Sequence, residues 1–528
     1  MKIGLPSGGA GLRSQLKSRL VIVAIATLVL GIFFRVTHLD HKVYWHDEVF
    51  TSFQSAGYTT EEVDAAVFTG NLLAPAQLLC YQRLDPDHGW DATWHSLSAD
   101  PVHPPYFYLL ERLWMELFGS TVAVTRSLSV VFSLLTFPAM VWLCRELFDS
   151  PTAQWVAIAL LAISPFQVLY AQEARQYSLW TLVVLLSSAA LLRALRRQTS
   201  GSWMLYGVTV AALLNTFILS AVVLACHGLT VVLGGQWSWR SLQRYVVATG
   251  LGVLTFVPWV VVLLQNRGNL QNKTSWTTFS PPKSVLFKLW GLHFSSDFID
   301  LGVPLEHPYS YLVPPIVLVL LGGALWLLYR HAPRRTGLLI ALLMVLPAIA
   351  LMLPDMMMGG QRSANTRYFV PALVGAELAA IYGITYLLDR GRSLWQYGGR
   401  VLLALVLTAG VVSCTLSWQS DTWWSKGSSY NNAAIAKFLN GLDRPILISN
   451  LANTVLGDTI SLSYRLNEDA RFVLVKDGVV PIVPMLGDRF LIYPSDTLLH
   501  GLQQAYGFSF EPIPQDNLPL LKLINPPP

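Results

Sequence analysis

Two adjacent acids beside an apolar run are the first feature of this sequence that could do chemistry. Tyr44-Trp45-His46-Asp47-Glu48 begins about ten residues after the apolar run 20–34. Neighbouring carboxylates point in different directions on any regular backbone, so Asp47 and Glu48 can divide labour. One can accept a proton while the other orients a partner or holds a cation. A solvated loop would also contain such a pair, but Trp45, Val49 and Phe50 keep this one close to an apolar surface.

A second cluster, Tyr170-Ala171-Gln172-Glu173-Ala174-Arg175-Gln176-Tyr177, fills a short connection where a turn would ordinarily use Gly, Asn, Asp or Pro. It sets a carboxylate beside a guanidinium. That is either a surface Glu173/Arg175 pair of little energetic weight or an arginine fork for an anion. A third cluster, 362–368, carries Arg362 and Arg367 directly ahead of another apolar run, and either snorkelling to lipid phosphate or an anionic partner accounts for them. Glu377 and His227, inside apolar runs, read as buried polar contacts ahead of metal ligands.

The elements that must position these groups are membrane helices. Of 528 residues, 53% are apolar and 13% charged, about half the charge of a soluble domain. An ordinary soluble enzyme is excluded, and 36 basic against 31 acidic residues is too small a surplus for a nucleic-acid face. Eleven spans are predicted, near 20–36, 121–144, 154–170, 178–192, 203–217, 218–234, 245–264, 311–329, 336–353, 369–388 and 401–418. Several fall short of the ~20 residues a crossing needs, and one long helix in place of the pair 203–217 and 218–234 would invert everything downstream. The first run begins like a signal peptide but lacks a small-residue cleavage site, so it is expected to stay as a span, with Arg19 and Arg35 snorkelling to opposite interfaces.

With the N-terminus inside, sixteen basic residues fall in cytoplasmic segments and seven in the shorter outer loops, as the positive-inside rule asks. The chain then divides into a cytoplasmic tail 1–19, a transmembrane part 20–418 with outer loops 37–120 and 265–310, and an outer domain 419–528. In the first loop, His103-Pro104-Pro105 starts an amphipathic helix over 106–118, expected to lie in the interface. The four cysteines, Cys80, Cys144, Cys226 and Cys414, form no disulfide or metal framework. Past 419 the pattern predicts helices at 431–442, 454–464 and 497–506 and strands at 445–449, 472–476 and 490–493, a small α/β domain without a phosphate loop or nucleophile elbow.

Taken in order, Trp45-His46-Asp47-Glu48, His103-Pro104-Pro105-Tyr106-Phe107-Tyr108-Leu109-Leu110, Ser164-Pro165-Phe166, the stretch from Tyr170 to Tyr177, and Arg367-Tyr368 resemble the GT-C glycosyltransferases of the protein O-mannosyltransferase and aminoarabinose transferase group. The resemblance covers roughly 20–390. It implies a GT-C-like polytopic helical fold and an inverting hexosyl- or pentosyltransferase. Such an enzyme takes a sugar from a polyprenyl-phosphate donor to a hydroxyl acceptor on a lipid, glycan or protein at the outer membrane face.

On that resemblance Asp47 is the catalytic base and Glu48 its neighbour. Arg175, Arg367, Gln172, Glu173 and Tyr177 would bind the donor phosphate, and His46, Asp100, His103, Tyr106 and Tyr368 would line the donor or acceptor pocket. Some relatives bind a divalent metal through outer-loop carboxylate and imidazole groups, for which Asp100 and His103 are the nearby pair. Two features depart from the group: no β-trefoil-sized insert lies in 265–310, and the α/β tail is not a shared hallmark.

An oligosaccharide polymerase or ligase with a lipid-diphosphate donor is the enzymatic alternative. A transporter would need repeated halves and broken helices, which the sequence does not display, and a non-catalytic sensor would use the outer domain. The expected partners are the lipid-linked sugar, the hydroxyl acceptor and membrane lipid. The expected location is a bacterial plasma membrane, although Asn272-Lys273-Thr274 is a sequon in an outer loop.

Overall fold

The computed structural model describes residues 8–235, 238–390, 393–451, 454–484, 487–514 and 518–525. Lys2 of the expected tail, Arg392 and the Pro526-Pro527-Pro528 end lie outside the described residues. The chain forms two compact units. One, helical, comprises Met1–Thr37, Pro101–Phe107 and Ser129–Trp418; the other, sheet-bearing, comprises His38–Asp100, Tyr108–Leu128 and Gln419–Pro528.

In the helical unit every predicted apolar run is helical. Among the described residues, seven helices are long and apolar enough to cross a membrane, or nine if each of two bent pairs is one span. The remaining two predicted spans are the helices Ser200–Thr216 and Ser220–Leu233, of 17 and 14 residues. At 1.5 Å per residue they reach only about 25 and 21 Å. They are separate helices because Phe217 adopts an extended conformation, φ −157° and ψ 134°.

The bent pairs correct the expectation of unbroken helices. Pro151–Ile163 and Pro165–Ala171 meet at 57°, and Trp239–Leu254 and Val257–Gln265 at 48°. At the first break Pro165 lacks an N–H and its ring crowds the carbonyl four residues back, so the helix stops. Ser164 caps the next one by accepting from Gln167 N at 3.3 Å. The orphaned carbonyls need donors. Arg35 supplies two: Nη2 donates to Leu161 O at 2.8 Å and Nη1 to Ala162 O at 2.6 Å, while Nε donates to Ser133 Oγ at 2.9 Å. Arg35 is therefore fully buried and does not snorkel. His227 is a satisfied buried residue, between Ser188 Oγ and Tyr206 Oη, each at 3.2 Å.

The sheet-bearing unit contains six strands, β1 (Thr69–Leu73), β2 (Ile446–Asn450), β3 (Arg471–Val475), β4 (Arg489–Ile492), β5 (Ser509–Pro512) and β6 (Leu520–Ile524), in the order β1-β3-β2-β4-β6-β5. β2 is parallel to both β3 and β4, and the outer pairings are antiparallel. β2 is buried along its whole length, as a strand covered on both faces must be. Ile448, Val473, Leu491, Leu502 and Phe508 form the core on one side.

The three predicted strands and three helices of the tail are present within one or two residues, except that the first helix ends at Leu439. β5 and β6 add to the prediction. So does β1, which comes from the loop 37–120: the sheet is completed by chain that sequence alone assigns to the membrane part. β1 reads Thr-Gly-Asn-Leu-Leu on an exposed edge, without the alternation that marks a strand. The helix Tyr106–Phe118 forms where expected, but in this unit its Glu111 and Arg112 are buried while Leu113, Leu117 and Phe118 are exposed.

Candidate active site

In the sheet-bearing unit the two acids open the helix His46–Ala56, with Trp45 at its N-cap. Acidic side chains in a first turn complement the positive end of the helix. Glu48, at the third position, reaches back to accept from Trp45 N at 3.3 Å. Its carboxylate is fully buried, and burial of a charge requires partners.

Those partners are two cations. Arg126 donates from Nε to Oε1 and from Nη2 to Oε2, both at 2.7 Å, a bidentate fork. Lys426 Nζ lies 3.4 Å from Oε2 and is itself fully buried. The remaining donors of Arg126 go to main-chain carbonyls: Nη1 to Leu39 and Lys42 at 2.7 and 3.0 Å, and Nη2 to Val43 at 2.8 Å. All five N–H groups are thereby placed, and the segment leading into the acidic pair is stitched to one guanidinium. Gly427, next to Lys426, has φ +47°, and a Cβ there would come within 3.2 Å of the Trp45 ring.

Asp47 is held differently. It is half-buried, one residue and about 100° further back around the helix, and its main-chain carbonyl accepts from Thr51 Oγ1 at 3.1 Å. Behind the triad stands Glu111, fully buried, with neither carboxyl oxygen hydrogen-bonded among the described residues. Burial first and the charge of Glu48 second push its pKa well above the ordinary carboxyl range. Tyr44 contacts Ser52 Oγ and donates to Thr125 Oγ1 at 3.3 Å, and burial raises its pKa as well. His46 N donates to Ser429 Oγ at 3.0 Å. Its ring lies against Gly457, where a Cβ would come within 2.3 Å of Nδ1, so only glycine permits that approach. Asp100 accepts from Gln54 Nε2 at 3.3 Å.

The helical unit assembles a second cluster. Arg175 is nearly wholly buried, and its Nη2 lies 2.9 Å from His103 Nε2. Ser129 Oγ fixes its main chain by donating to Arg175 O at 3.1 Å. A guanidinium is always a donor, so His103 Nε2 accepts and the ring is neutral with its proton on Nδ1. Gln176 Nε2 lies 3.2 Å from Nδ1, and exchanging the oxygen and nitrogen of that amide would let it accept this proton.

Phe217 joins these groups to the rest. Its ring centroid is 6.0 Å from that of His103, 5.9 Å from that of Tyr177 and 5.9 Å from that of Tyr368. Arg367, half-buried, places its guanidinium 6.0 Å from the Tyr177 ring centroid and 5.6 Å from that of Tyr368. His103, Arg175, Tyr177, Arg367 and Tyr368 are thus brought together.

Others are not. Gln172 donates its amide hydrogens to the carbonyls of Phe34 and Thr37 at 2.7 and 2.8 Å, tying down the end of the first span. Glu173 is fully buried and Arg175 nearly so, and neither side chain stands on the surface. Tyr106 is exposed. Arg362 is held by Asp355 Oδ1 at 3.0 Å, which accounts for it without an outside anion.

A metal does not fit the Asp100/His103 suggestion. His103 meets Arg175 at one ring nitrogen and Gln176 at the other, and a guanidinium at 2.9 Å repels a cation. Among the described residues no group of three or more His, Cys, Asp or Glu side chains could hold a metal ion.

Sequence reasoning missed Arg126, Lys426 and Phe217. Arg126 had a signal, a charge five residues into an apolar run. Lys426 and Phe217 had none.

Comparison with known proteins agrees with this architecture. The model of the family described as dolichyl-phosphate-mannose-protein mannosyltransferase matches residues 102–263. No curated protein matches the sequence. ArnT from Cupriavidus metallidurans, in a crystal structure with undecaprenyl phosphate bound, is similar over 95% of this chain and 97% of its own at 14% identity and TM-score 0.50. Its apo structure gives 13% identity, 96% and 98% coverage and TM-score 0.51. The chain is a multi-pass membrane protein with an ArnT-like GT-C fold.

Proposed function

We propose that this protein is an inverting glycosyltransferase that moves a sugar from a polyprenyl-phosphate donor to a hydroxyl acceptor, with Asp47 as base. The observation that carries this is the unequal treatment of the adjacent acids. Glu48 is buried and neutralised by Arg126 and Lys426, whereas Asp47 is half-exposed on the same helical turn. The matched family description and the lipid phosphate bound by ArnT support the donor class.

Asp47 takes the proton of the acceptor hydroxyl as its oxygen attacks the anomeric carbon from the face opposite phosphate. The bond from that carbon to the phosphate oxygen breaks in the same displacement, giving inversion. Polyprenyl phosphate departs with one more negative charge than it had as a diester, so cations that meet it stabilise the transition state more than the ground state. Arg367, half-buried as a residue, is the first candidate for that contact. Arg175, held deeper by His103, is the second. On this reading the N-terminus lies inside and the tail outside, as the charge asymmetry of the loops asks, and the membrane is a bacterial plasma membrane.

The test is to incubate the purified full chain with a polyprenyl-phosphate sugar and a panel of hydroxyl acceptors. Free polyprenyl phosphate should be released in step with a product of inverted anomeric configuration by NMR. Retained configuration, or turnover only with a lipid diphosphate, would contradict the reading.

A further inference from the structure

A groove of about 630 Å³ runs between the helices Tyr309–His331, Val370–Asp389 and Ser393–Gln419 of the helical unit. That is the size of an ordinary ligand site. Leu320, Ala324, Ile384, Leu387, Leu402 and Val406 line its apolar part. Small residues open it: a Cβ added at Gly323 would meet nothing within 4 Å.

One end is basic and aromatic. The His331 ring stacks on Tyr386 at 4.8 Å, and the Arg390 guanidinium lies 4.7 Å from the Tyr386 ring centroid and 5.9 Å from that of Trp395. Arg330 joins them, and among the described residues no acid lines the groove. Asp389, next in sequence, is occupied by the hydroxyls of Ser150 and Thr152 at 2.5 and 2.8 Å. Among the described residues neither Arg330 nor Arg390 has a carboxylate partner.

This end is remote from the candidate donor cluster. Arg367 and Tyr368 precede the 20-residue helix Val370–Asp389 and Arg390 follows it, so about 30 Å of helix separates them. That is the thickness of the hydrocarbon. A phosphate at Arg390 therefore belongs to the leaflet opposite the reacting lipid.

We propose that the groove binds an anionic phospholipid of that leaflet, with its phosphate on Arg330, His331 and Arg390 and one acyl chain along the apolar floor. Simple snorkelling would explain the arginines but not an open channel beneath them. Basic pockets between membrane helices are where anionic headgroups collect.

The full chain, purified in mild detergent, should be titrated with phosphatidylglycerol and with phosphatidylcholine, reading bound lipid by native mass spectrometry and stability by thermal shift. Phosphatidylglycerol should bind and raise the melting temperature; phosphatidylcholine should do so weakly. The double variant Arg330→Gln/Arg390→Gln should weaken phosphatidylglycerol binding roughly tenfold or more, and the matching Lys pair should keep most of it. Gly323→Phe, which fills open space without touching the charges, should lower binding as well and carries the test should the double variant fail to fold. Equal binding of the two lipids, wild-type binding by folded Gly323→Phe, or undecaprenyl phosphate displacing phosphatidylglycerol from the groove would overturn the proposal.

Discussion

The two units hold their charged groups to different ends. In the sheet-bearing unit, Glu48, Arg126 and Lys426 make a buried ion triad whose spare donors are spent on carbonyls of Leu39, Lys42 and Val43. In the helical unit, Arg175 leans on the neutral ring of His103 and Arg367 lies over two tyrosine rings. The triad fixes backbone; the imidazole and aromatic contacts aim side chains. A buried charge is thus not a uniform sign of catalysis, and in the proposed reading the more deeply buried acid is not the base.

The sharpest way to break that contrast is at the triad. Glu48→Gln leaves two buried cations without their counterion, and folded stability should fall by about 3–5 kcal/mol in chemical denaturation. A loss near zero would show that the triad does not hold the entry to the helix. Next come the arginines. Arg367→Ala should lower kcat more than it raises KM, and Arg367→Lys should recover part of the loss, because a point charge replaces a planar fork. His103→Ala should act like a weaker Arg175→Ala if the imidazole aims that guanidinium, and independent, additive effects would refute the coupling.

The smallest effect is on pH dependence. The pKa of Glu111 is raised in the folded state, so the fold binds a proton that the unfolded chain releases. Its contribution is fully present below the ordinary carboxyl range and is lost as pH rises through the folded value. Melting temperature measured from pH 4.5 upward should decline less steeply in Glu111→Gln than in wild type. Parallel profiles would remove Glu111 as the cause.

The same contrast explains what the sequence could say. The Tyr170–Tyr177 cluster was legible because its members are contiguous and stand in a turn that violates turn chemistry. The triad was not, because Glu48, Arg126 and Lys426 come from three distant segments, and nothing in the run around Lys426 distinguishes a fully buried lysine from a solvated one. Helices were legible from apolar length alone. β1 was hidden by its exposure, and the role of Arg35 by a helix break that only the folded chain reveals. Gln172, a donor-phosphate candidate on the family resemblance, donates its amide hydrogens to two main-chain carbonyls that only the folded chain brings near.

The central claim is that Asp47, not Glu48, does the chemistry, and pre-steady-state kinetics of Asp47→Asn tests it most directly. Asparagine keeps the shape and removes the proton acceptor. With donor binding measured separately and the melting temperature unchanged, the single-turnover rate should fall by roughly 10²-fold or more while donor affinity stays within about twofold. A folded Asp47→Asn protein that turns over at the wild-type rate would contradict the account.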